Sequence, residues 1–156
     1  MILDYKSPGK LEKTRYEKIH SVIFNKSNEA SAVVANEIAV LIKKKQKEKK
    51  NCVLGLATGS SPISVYKELV RLHKEEGLSF SNVITFNLDE YFPMKKGDIK
   101  SYYQFMHLHL FSHIDIKPKN INIPNGEINF SQINSYCNGF GFAEFNSAFR
   151  IGKKYY

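Results

Sequence analysis

Cys52-Val53-Leu54-Gly55-Leu56-Ala57-Thr58-Gly59-Ser60-Ser61-Pro62 is the stretch on which the fold turns. It opens with a short apolar run, which reads as a strand buried on both faces, as strands of parallel sheets are. Small hydroxyl residues and a glycine follow. Pro62 then suits the first turn of a helix, where its missing N–H is not needed. Ile63, Tyr66, Leu69, Val70 and Leu72 continue at helical spacing, and Gly77 is placed to stop the helix.

The same alternation extends in both directions. Downstream, residues 82–88 (NVITFNL) form a second strand that ends in Asp89-Glu90-Tyr91. Pro93 and Gly97 mark a loop, and Ser101 is set to cap a helix reaching Phe111 or His113. Residues 114–126 are broken by Pro118, Pro124 and Gly126, leaving room for one short strand over 120–123. Upstream, residues 5–15 are polar and extended. Tyr16 to Phe24 reads as a first strand, and Ser27 as the cap of a helix over 29–46 that buries Val34, Ile38, Leu41 and Ile42. Strand and helix in strict turn predict a Rossmann-like, doubly wound α/β fold with a mostly parallel sheet. No linker divides the chain.

Composition narrows the function classes. The chain has 156 residues, 42% hydrophobic and 24% charged, ordinary for a globular domain. No run of about 18 apolar residues crosses a membrane, and no signal peptide is visible, so a cytoplasmic location is expected. Two cysteines, Cys52 and Cys137, make neither a disulfide framework nor a zinc site. The net charge of +8 suits an anionic partner. Much of it lies in Lys43 to Lys50, which we read as a solvated helix end and not a nucleic-acid patch, because no aromatic residues interleave to stack on bases.

Two stretches carry chemistry. The turn Thr58-Gly59-Ser60-Ser61 joins a buried strand to a helix N-terminus, where free N–H groups and hydroxyls favour a phosphate. The residues alone leave a ligand-free helix cap equally open. Asp89-Glu90-Tyr91 ends the next strand, at the sheet edge where open α/β sheets bind ligands. A carboxylate there suits a general base. His107, His109 and His113 raise a metal site, but 107 and 109 point apart on a helix and no third ligand is evident, so they are expected to pack or face solvent.

Taken in order, these motifs resemble the glucosamine-6-phosphate deaminase family. The resemblance is carried by residues 54–62 (LGLATGSSP), 65–70 (VYKELV), 77–80 (GLSF), 83–91 (VITFNLDEY), 101–106 (SYYQFM) and 120–126 (NINIPNG). It implies a reaction in which glucosamine 6-phosphate and water give fructose 6-phosphate and ammonium, without metal or organic cofactor. By this likeness Asp89 shuttles the C2 proton, while Thr58, Gly59, Ser60, Ser61 and Glu90 bind the substrate. Homo-oligomers are also implied.

The likeness runs from about residue 16 to residue 137 and fades in 138–156, expected to be a divergent tail not native to the fold. No stretch like the family's GHIxFNEP, which supplies the ring-opening histidine, occurs in this sequence. The expectation is a truncated, impaired enzyme with an uncovered sheet edge and face. Two alternatives stand beside it: a non-catalytic fragment that binds sugar phosphate or docks on a subunit, and a 6-phosphogluconolactonase-like hydrolase.

Overall fold

The computed structural model describes residues 23–127. The expected first strand over 16–24 and the tail after Cys137 lie essentially outside these residues. Helix α1 (Ser27–Lys47) precedes β1 (Cys52–Leu56), α2 (Ile63–Glu76), β2 (Val83–Asn87), α3 (Tyr102–His109) and β3 (Ile121–Asn122), with 3-10 turns at Phe111–His113 and Pro118–Asn120. The strands pair in parallel in the order β1-β2-β3. Parallel pairing requires crossovers, and α2 supplies the first. Asn120 and Asn122 reinforce the short third strand by donating from Nδ2 to the carbonyls of Val83 and Thr85, at 2.9 and 3.0 Å.

One core lies between the sheet and the helices. Cys52, Leu56, Val83 and Thr85 point into it from the strands, meeting Ile42, Tyr66, Leu69, Phe80, Met106 and Leu110. The opposite sheet face is open among the described residues: Val53 is 60% exposed and Phe86 51%. This corrects the expectation that β1 is buried on both faces. Helices cover a single face of the described sheet.

The buried stripe of α1 also differs from expectation. Ser31, Ala35, Ala39 and Ile42 are buried, whereas Val34 and Leu41 are exposed. The reason is close approach. Ser31 Oγ and Ser64 Oγ stand 2.7 Å apart across α1 and α2, a spacing that admits only small side chains at the crossing. Ser27 is the first helical residue and not the cap; Lys26 holds the cap position.

The lysine run ends α1 and continues into the following turn, as read from its composition, with Lys45 and Lys50 both beside Glu48. Gly77 ends α2 with φ +70°, the left-handed conformation glycine adopts without strain. No described helix is long and apolar enough to cross a membrane.

Candidate active site

Register places the two chemical stretches together. Leu56 on β1 is the partner of Asn87 on β2, so Thr58 and Asp89 each lie two residues beyond a matched pair. Both therefore emerge at the C-terminal edge of the sheet, where α/β folds bind ligands.

The turn after β1 is held from below. Tyr66, buried on α2, donates its hydroxyl to the Ala57 carbonyl. Burial is the main cause that pushes this phenol up to about 12, so it remains a donor throughout the physiological range. Asn87 Nδ2 reaches the Leu56 carbonyl at 3.4 Å. Gly59 follows with φ +105°, a conformation that a side chain would strain. Ser60 and Ser61 are exposed, and α2 begins directly after Pro62.

An open cleft of about 650 Å³ adjoins this turn. Thr58 and Gly59 form one wall; Tyr91, Met94, Ile99, Lys100, Ser101, Tyr102 and Phe105 complete it. Lys100 is a cation beside the turn, complementary to a bound anion. The Tyr91 and Tyr102 rings lie 4.7 Å apart. The Tyr102 phenol is pushed up to about 12, first by the Tyr91 side chain and then by burial, with the Thr58 hydroxyl acting oppositely and the Asp89 charge adding to the rise. Tyr102 lines the cleft together with the turn residues Thr58 and Gly59.

Asp89 is exposed at the strand end. Partial burial, with the Glu90 charge second, raises its carboxyl above the ordinary value. A base with a raised pKa lies closer to neutral pH and is better matched to proton transfer. The same shift has a stability consequence. The folded chain holds the Asp89 proton more tightly than the unfolded chain, so ionising it near neutrality costs stability. Asp89→Asn is therefore expected to raise Tm slightly at pH 7, with the gain vanishing once pH falls below the ordinary aspartate pKa. Thermal unfolding of both chains across pH checks this; a Tm lowered at pH 7 contradicts it.

Glu90 faces the chain itself. Its Oε1 accepts from the N–H of Tyr91 and of Tyr102, both at 2.9 Å, and its Oε2 from the N–H of Tyr103 at 3.1 Å. Ser101 caps α3 as read from sequence, accepting from the Gln104 N–H at 3.1 Å. The histidines pack locally: His107 stacks on Tyr103 at 4.2 Å, His109 tilts against Phe105, and His113 Nε2 lies 2.9 Å from the Leu108 carbonyl.

The cleft wall from Met94 to Phe105 was not singled out in the sequence as a site. The signal available was Ser101, whose cap fixes where α3 starts, but nothing local says that this start returns to Thr58.

Known proteins resemble this chain in sequence and fold. The sequence profile of the glucosamine-6-phosphate isomerases/6-phosphogluconolactonase family matches residues 25–136. A glucosamine-6-phosphate deaminase 2 of Giardia intestinalis is 54% identical over 101 residues, 65% of this chain and 37% of the relative. A glucosamine-6-phosphate deaminase of Thermoanaerobacter sp. (strain X514) is 50% identical over 93 residues, 60% of this chain and 37% of the relative. The chain thus spans well under half the length of these relatives. Among solved structures, a monomeric glucosamine-6-phosphate deaminase superposes with TM-score 0.66 at 40% identity, covering 74% of this chain and 45% of that one. A 6-phosphogluconolactonase of Thermotoga maritima gives TM-score 0.55 at 20% identity over 78% of this chain and 50% of that one, a likeness of fold alone. With the profile spanning most of its length, the chain belongs to the glucosamine-6-phosphate isomerase/6-phosphogluconolactonase family.

Proposed function

We propose that the chain carries the phosphate turn and the proton-shuttling base of a glucosamine-6-phosphate deaminase. The observation that supports this most is the Leu56–Asn87 register, which sets the Thr58–Ser61 turn and Asp89 at one sheet edge. The phosphate of glucosamine 6-phosphate binds the turn at the α2 N-terminus, helped by the hydroxyls of Thr58, Ser60 and Ser61. The opened sugar then extends toward Asp89. There the carboxylate takes the C2 proton and returns it to C1, and water releases the amine as ammonium.

A second reading is favoured by the open sheet face bearing Val53 and Phe86. On it the chain binds the sugar phosphate without turnover and docks on another subunit. Calorimetry with glucosamine 6-phosphate and with glucosamine, followed by an ammonium assay, separates the two. Both readings predict that the phosphate ester binds at least about tenfold more tightly than the free amino sugar, a difference of about 1.4 kcal/mol. Only the first predicts ammonium release above an Asp89→Asn control. Equal affinity for the two sugars rules out the phosphate turn.

A further inference from the structure

We propose that Glu90 is a positioning residue of this site, acting through the Tyr102 hydroxyl and not as a ligand of the sugar phosphate. This rests on the sugar-phosphate reading above and replaces the direct substrate contact expected for Glu90 from sequence.

A carboxylate offers about four acceptor positions. Three are taken by the N–H groups of Tyr91, Tyr102 and Tyr103, at 2.9, 2.9 and 3.1 Å. Tyr102 and Tyr103 are the first two residues of α3, whose N–H groups have no partner within the helix. A negative charge there is favourable by the helix dipole. The next donor, the Gln104 N–H, is taken by Ser101. Glu90 directly follows Asp89 in the chain, so one carboxylate couples the strand end bearing the base to the helix bearing Tyr102. What it fixes is visible in the cleft. Tyr91 and Tyr102, both tied by Glu90, set their rings 4.7 Å apart at a 42° tilt and line the cleft together with Thr58 and Gly59.

A residue that acts through another shows it in a double-mutant cycle. The readout is the Kd for glucosamine 6-phosphate, measured by calorimetry on the 156-residue chain. Glu90→Ala is expected to weaken binding about tenfold in the wild-type background, and less than about twofold in the Tyr102→Phe background. Glu90→Gln, which keeps one acceptor oxygen, gives an intermediate loss and serves where the alanine variant does not fold. Equal losses in both backgrounds mean that Glu90 touches the ligand and overturn the proposal, leaving the phosphate site standing. A wild-type chain without affinity for the sugar phosphate overturns the site reading and the proposal with it. Amide exchange gives a check that needs no ligand. The Tyr102 and Tyr103 amides should exchange faster in Glu90→Ala or Glu90→Gln, and unchanged exchange overturns the positioning role.

Discussion

On the proposed function, Asp89→Asn is expected to lower proton exchange at C2 of the sugar phosphate by about 10²–10⁴-fold, the range for removing a general base, while ligand affinity changes by less than about threefold. The substitution keeps the shape of the side chain but removes its ability to take a proton. Asp89 makes this a clean test because it is exposed and carries no packing role that the change would disturb. Exchange of the C2 hydrogen of glucosamine 6-phosphate with solvent deuterium, followed by NMR, detects the chemical step even where ammonium release is slow. The pH dependence has a definite sign. The base works only when ionised, and its carboxyl is raised by partial burial and by Glu90. Exchange therefore fails on acidification at a higher pH than an ordinary aspartate would give. Exchange by Asp89→Asn at the wild-type rate removes Asp89 from the reaction.

The contrast between what was and was not readable in the sequence follows the range of the forces involved. Local signals read correctly: Gly77 as a helix stop, Ser101 as a cap, and the period of residues 63–72 as a helix packed through Tyr66, Leu69 and Leu72. The parallel sheet followed from the alternation of elements. Burial read less well because it depends on neighbours. An apolar run such as residues 52–56 looks the same whether one face is covered or two, and only the exposure of Val53 shows one. On α1 the largest apolar residues were expected inside, yet a close helix crossing selects Ser31, Ala35 and Ala39. The placement of the turn and of Asp89 at one sheet edge was legible because each follows a strand. The backbone contacts of Glu90 were not, since its partners Tyr102 and Tyr103 lie 12 and 13 residues away.

The far side of the cleft rests on one glycine, and Gly126→Ala is expected to damage both stability and binding. Gly126 is buried against the loop that follows β2, and its carbonyl accepts from the Met94 N–H at 2.8 Å. A Cβ at this position would meet the Tyr91 carbonyl oxygen and lie 2.7 Å from the Met94 carbonyl oxygen and 2.8 Å from Met94 Cβ. Two of these three atoms are backbone, so no rotamer change relieves the contact and the loop itself must move. Overpacking of this kind costs about 1–3 kcal/mol, and each kcal/mol lowers Tm by roughly 2–4 °C in a domain near this size. Tyr91 and Met94 both line the cleft, so the displaced loop also carries part of the ligand wall with it. Gly97→Ala provides the control: nothing lies within 4 Å of its added carbon, and its effect should stay within about 0.5 kcal/mol. Thermal unfolding and calorimetry on the two variants test the link. A Gly126→Ala chain that melts lower but binds glucosamine 6-phosphate like wild type would separate the loop from the site. Joint loss of stability and affinity would mean that the contact between residues 94 and 126 holds the cleft in its binding shape.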